Sequence, residues 1–226
     1  MALKLNSRFF VEFRISRKSH APQNHSLSSQ PVLSFYNRGN NRQTVFFERD
    51  NYLYFLRGVQ KYLCEQVDIL AYCLMPTHYH ILGRVKGQTS EVSKTSEVSV
   101  SRSVSLAMQK FGISYTKAIN KRFSRVGALF QGQFQSKSIT TYSHLLNLCV
   151  YIHANPVKDG LVALPENWKF SNYLEWMGLR DGKLVNREFV SENFGLPEEY
   201  RELVMEYINT RYMPADFWEY LKGTDE

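Results

Sequence analysis

Cysteine is scarce in this chain. Cys64, Cys73 and Cys149 are odd in number, widely spaced and form no CxxC pair, which argues against both a disulfide framework and a cysteine zinc site. Buried thiols in a cytosolic protein are the expectation that remains. There is no apolar run of transmembrane length. Residues 1–20 lack a signal-peptide core, because Glu12 and Arg14 interrupt the apolar stretch. No membrane association and a cytoplasmic location are therefore expected. Acidic residues are also short over most of the chain. The last thirty residues hold eight acids and three bases, which leaves 25 bases and 13 acids, a net of +12, for residues 1–196. Such a surplus suits a polyanion such as nucleic acid.

What is present is a globular chain of 226 residues, with 43% hydrophobic and 14% aromatic content. Residues 1–31 read as an N-terminal extension or linker, polar over "SRKSHAPQNHSLSSQP". "VLSFYNRGNNRQTVFF" reads as a strand and a glycine turn. Residues 48–66 form a helix, with Asp50 as the candidate N-cap and Tyr52, Phe55, Leu56, Val59, Tyr62 and Leu63 at helical spacing. "DILAYCLMP" and "HYHILGRVK" make a hairpin. Residues 88–105, with "TSEVS" twice, read as a mobile low-complexity insertion. An amphipathic helix follows over 106–125, then a strand over 130–139 and a helix over 140–155 stopped by Pro156. Residues 176–226 form an acidic helical extension, with helices expected at 197–211 and 214–222.

The order predicts an α+β, ferredoxin-like β-α-β-β-α-β unit. Its antiparallel sheet carries helices on one face and leaves the other free for function.

Two short patterns carry chemistry. In "PTHYHILGRV", His78 and His80 are i and i+2 on a strand, so both imidazoles project to one face and Tyr79 to the other. Neutral imidazole is a common ligand for a divalent metal, but two ligands rarely suffice. In "YSHLLNLCVYIHAN", Leu145, Leu148, Cys149 and Ile152 should face the core. His144, Asn147, Tyr151 and Asn155 form a second, polar stripe. If that stripe meets the histidines, Asn155 offers an amide oxygen as third ligand and Tyr151 a phenol. The phenol is a weak nucleophile at neutral pH until activated.

These residues resemble a known family. "PTHYHILGRV" looks like the histidine–hydrophobe–histidine motif of single-tyrosine HUH transposases. "YIHANPVKDGLV", "YNRGNNRQTVFF" and "ALFQGQF" are similar to blocks of the branch called REP-associated tyrosine transposases. Four blocks occur in the family's order, and the resemblance covers residues 32–175. It implies a ferredoxin-like catalytic domain that cleaves and rejoins hairpin-bearing single-stranded DNA, as monomer or homodimer, with Mg²⁺ or Mn²⁺. By the resemblance His78 and His80 are metal ligands and Tyr151 is the nucleophile, forming a 5′-phosphotyrosine link. Asn155 stands where some relatives have glutamine, which keeps the amide oxygen and shortens its reach by one methylene.

Arg38, Arg42, Lys110, Lys117 and Lys121 are candidate phosphate contacts. Asn40 and Asn41 are candidates to read unpaired bases, and Tyr36 to stack on one. Two other readings compete. One is a catalytically silent nucleic-acid-binding module, either a domesticated transposase relative or an RRM-like RNA binder, although the RNP-type aromatic pattern is absent. The other is a metal-dependent hydrolase that activates water and has no use for Tyr151. The acidic extension is expected to restrain activity by closing over the basic face.

Overall fold

The computed structural model describes residues 30–87 and 94–222, with backbone alone over 94–101. Four strands form one antiparallel sheet: β1 (Val32–Arg38), β2 (Val67–Met75), β3 (His78–Val85) and β4 (Gln135–Ile139). Their spatial order is β2-β3-β1-β4, which is the split β-α-β-β-α-β arrangement. Two residues, Pro76 and Thr77, join β2 to β3. The register of β1 on β3 sets Tyr36 against His80 and Arg38 against His78.

Helices α1 (Arg49–Tyr62) and α2 (Lys94–Arg122) pack on one face of the sheet. Phe35, Tyr79 and Ile81 point up from the strands into Phe55, Val59, Phe111 and Tyr115. Helix α1 starts earlier than Asp50 suggests. Glu48 is the N-cap, and the Asn51 side chain accepts the backbone N–H groups of Phe47 and Glu48, closing a capping box. Helix α2 begins at Lys94 rather than 106, so the second "TSEVS" copy is helical from its first threonine. The serines and β-branched residues there have mediocre helix propensity, and the helix propagates through them from a well-packed C-terminal half. The first copy lies outside the described residues, as does the N-terminal extension up to residue 29.

The opposite face is covered rather than free. Helix α3 (Tyr142–Lys158) lies across it, N-capped by Thr141, whose hydroxyl accepts from the His144 N–H at 3.1 Å. Leu145, Leu148, Cys149 and Ile152 bury against Val32, Cys73 and Leu82 of the sheet. Pro156 sits inside the last turn instead of stopping the helix, because the chain runs two residues further before Asp159 caps it and Gly160 turns at φ 71°. A short helix α4 (Tyr173–Trp176) follows, then α5 (Arg187–Phe194), α6 (Pro197–Thr210) and α7 (Ala215–Leu221). They supply Trp176, Phe189, Tyr200, Val204, Tyr207 and Phe217 to the core on α3. No helix among the described residues is long and apolar enough to cross a membrane.

Candidate active site

The site is built where β3 faces α3. The His78 and His80 rings lie side by side, their centroids 5.3 Å apart. The His80 centroid is 6.3 Å from that of Tyr151, edge to face. Tyr79 points the other way, 4.9 Å from Phe55 and 5.9 Å from Phe130. The histidines and Tyr79 thus lie on opposite faces of the strand, and Tyr151 is the member of the helix stripe that packs against His80.

Thr77 Oγ1 sits 3.0 Å from His78 Nδ1. That contact fixes the ring and leaves Nε2 for a ligand. Burial pushes the His78 imidazole down to about 4, with Arg38 and Lys158 adding positive potential. His80, 2% exposed, is held well below the usual histidine range, first by burial and then by His78, Lys158 and Arg38. Both rings are thus neutral at pH 7, the form that ligates metal.

Asn155 lies one turn beyond Tyr151 and is 1% exposed. Neither its Oδ1 nor its Nδ2 meets a hydrogen-bond partner among the described residues. Burying an amide without partners costs about 1–3 kcal/mol, so such a side chain points to a function. Among the described residues no three His, Cys, Asp or Glu side chains group into a metal site. A metal here would have two imidazoles and the Asn155 amide oxygen as its protein ligands. The set offers two neutral nitrogens and one oxygen, a donor mix that a divalent ion can accept with water filling its remaining positions.

The remaining candidates divide by location. Arg38 ends β1 opposite His78 and bears on both histidines. Tyr36 is half-buried, stacked beside His80 at 6.4 Å and 27°. Asn40, Asn41 and Arg42 form an exposed 3-10 turn just beyond, with Asn41 and Arg42 at φ 51° and 56°. Gly39 enters that turn so closely that a Cβ would lie 2.0 Å from the Gln43 carbonyl oxygen. Its N–H donates to Thr77 O at 2.7 Å, which ties the turn to the strand of the histidines. Lys110, Lys117 and Lys121 are exposed on α2, across the sheet from the histidines, and the fold does not bring them to the site. Within the stripe, His144 pairs with Asp216 of α7 at 2.9 Å, and Asn147 Nδ2 approaches Ser143 Oγ at 3.4 Å. Both are spent on structure.

Two features escape a reading by motif. Lys158 Nζ donates to Tyr151 Oη at 2.7 Å. Its spacing, seven residues after Tyr151, was the available signal. The C-terminal extension also covers the phenol. Tyr207 of α6 and Phe217 of α7 have ring centroids 6.1 and 6.2 Å from that of Tyr151, which is 1% exposed.

No family model matches the chain, and no curated protein does. Among solved structures, a REP-associated tyrosine transposase bound to a REP hairpin is similar at 17% identity and a TM-score of 0.48, over 74% of this chain and 97% of that one. A likeness of that degree says nothing by itself about chemistry.

Proposed function

We propose that this protein cleaves and rejoins hairpin-bearing single-stranded DNA through a covalent 5′-phosphotyrosine intermediate on Tyr151. The observation that carries the reading is one constellation. Two neutral histidines, His80 buried and His78 half-buried, face a helix whose phenol lies against one of them, and whose next turn holds an amide without a hydrogen-bond partner among the described residues. Each residue has a task. Tyr151 is the nucleophile. Arg38, the exposed turn at 40–42 and the basic surplus of residues 1–196 hold and orient the phosphate backbone. Lys110, Lys117 and Lys121, on the far face, can serve only a flanking part of the DNA. His78, His80 and Asn155 would hold Mg²⁺ or Mn²⁺, which when bound polarises the phosphodiester and stabilises charge on the departing 3′ oxygen. The link to Tyr151 keeps the phosphodiester energy, so a second strand can be joined without a nucleotide cofactor.

A second reading has one observation on its side. A catalytically silent binding module would leave its tyrosine covered, as Tyr151 is beneath Tyr207 and Phe217. One assay separates the two. The protein is incubated with hairpin-bearing single-stranded DNA and Mn²⁺ or Mg²⁺, and a covalent adduct is sought on a denaturing gel. The transferase gives an adduct that disappears in Tyr151→Phe and with chelator. The module binds without cutting. A cut without an adduct marks a hydrolase.

A further inference from the structure

We propose that Lys158 is a catalytic residue of this site, holding the Tyr151 oxygen and stabilising its anion in both cleavage and rejoining. The proposal rests on the reading of Tyr151 as nucleophile. Three observations on the same helix carry it. Lys158 Nζ donates to Tyr151 Oη at 2.7 Å, so it touches the reacting atom itself. The same ammonium lies 4.4 Å from the Tyr151 ring centroid, so it is folded back along the phenol rather than extended to solvent. Tyr151, Asn155 and Lys158 stand at i, i+4 and i+7 on α3, so the three side chains leave from one face of the helix.

The surroundings make a cation there useful. In cleavage and in rejoining the negative charge of the phenolate falls on Oη, the atom that Lys158 Nζ already touches. A charge-assisted hydrogen bond to the anion is about twice as strong as one to the neutral hydroxyl. That difference acts where the charge develops, which is the requirement for catalysis rather than mere binding.

In cleavage, Tyr151 gives its proton to water. The Oη–P bond forms as the bond from phosphorus to the 3′ oxygen breaks, and that oxygen takes a proton from water to leave as a 3′-OH. In rejoining, an incoming 3′-OH loses its proton to water and its oxygen attacks phosphorus. The P–Oη bond breaks, and the departing phenolate is received by the ammonium before it is reprotonated by water. Lys158 keeps its proton throughout.

The test compares Lys158→Met and Lys158→Arg with the unsubstituted protein, on hairpin-bearing single-stranded DNA with Mn²⁺. Rates of adduct formation and of strand rejoining are measured alongside DNA affinity. Lys158→Met should slow both steps about a hundredfold, with affinity within about threefold, and Lys158→Arg should recover most of the rate. The decisive arm places a fluorinated tyrosine of lower phenol pKa at position 151. Its anion needs less help, so the loss caused by Lys158→Met should shrink to less than about tenfold. A structural lysine would give the same loss with either phenol, and a phosphate contact would show the loss in affinity; either result overturns the proposal. Unchanged rates in Lys158→Met overturn it as well. No adduct in the unsubstituted protein would remove Tyr151 as nucleophile, and Lys158 with it. An adduct that is indifferent to Lys158 would remove Lys158 alone.

Discussion

The two faces of the sheet are built from the same strands but bury different kinds of side chain. Above, Phe35, Tyr79 and Ile81 meet Phe55, Phe111 and Tyr115, and the Tyr115 hydroxyl donates to Val45 O at 2.8 Å. Below, the alternate residues of the same strands add half-buried His78 and buried His80 and Ser34 to the apolar Val32, Cys73 and Leu82, and the helix they meet carries buried Tyr151, His153 and Asn155. Both faces are packed, but the lower one also accepts buried polar groups at an energetic cost. Proteins tolerate such groups where chemistry needs them.

The largest expected effect on the lower face is on chemistry. Tyr151→Phe should abolish the adduct, and His80→Ala should slow its formation by about 10²–10³-fold, the usual loss when a group stabilising the transition state is removed. Both should leave the thermal midpoint within a few degrees. On the upper face the pattern reverses. Phe55→Ala should cost about 3–5 kcal/mol in urea denaturation, yet leave the adduct rate per folded molecule unchanged. A large rate loss in folded Phe55→Ala would erase the distinction between the faces.

Next in size is the pH response. His153 is fully buried, with Nδ1 2.6 Å from Tyr200 Oη and Nε2 2.9 Å from Asn172 Oδ1. Asn172 Nδ2 donates to Leu70 O, so its Oδ1 accepts; His153 Nε2 must therefore donate, and Tyr200 donates to Nδ1. Burial pushes this imidazole from 6.5 down to about 4, against a smaller opposing effect of the Asn172 hydrogen bond. The unfolded chain thus binds the proton more readily than the folded one between those values. The stabilisation is complete above pH 6.5 and falls away as pH drops toward 4, by roughly 3 kcal/mol for this group. His78, lowered to about 4 as well, adds to the slope in the same direction. Urea denaturation at pH 7 and pH 4.5 measures it; equal stability at both would contradict the buried neutral state.

The smallest effect is the most telling. Asn155→Leu replaces an amide that has no hydrogen-bond partner among the described residues by an apolar group of similar size. It should stabilise the fold by about 1–2 kcal/mol while removing the metal-dependent activity. Destabilisation by that substitution would mean the amide is satisfied by its surroundings and is no ligand.

Much of this was legible in the sequence. The order of six elements predicts the sheet, and i, i+2 spacing on a strand puts His78 and His80 on the face away from Tyr79. The i, i+4 pair on a helix sets Asn155 one turn from Tyr151. What stayed hidden has physical reasons. Reading Pro156 as a stop cuts the helix before Lys158, but a proline in the last turn forfeits only one hydrogen bond, so the turn completes and carries the lysine round to the phenol. The "TSEVS" repeats look structureless by composition, although a helix packed further along extends back to Lys94 through the second copy. The cover over Tyr151 depends on Tyr207 and Phe217, more than fifty residues away, and no local periodicity encodes such a contact. The acidic extension reaches the site chiefly through these apolar rings, with the His144–Asp216 pair at its edge.

The central claim is that Tyr151 takes the 5′ phosphate of a cleaved strand. The direct measurement is mass spectrometry of the protein digested after reaction with hairpin-bearing single-stranded DNA and Mn²⁺. The account predicts a nucleotide phosphate on the peptide that contains Tyr151, absent with chelator and in Tyr151→Phe. Cut DNA bearing a free 5′ phosphate, with that peptide unmodified, would contradict it.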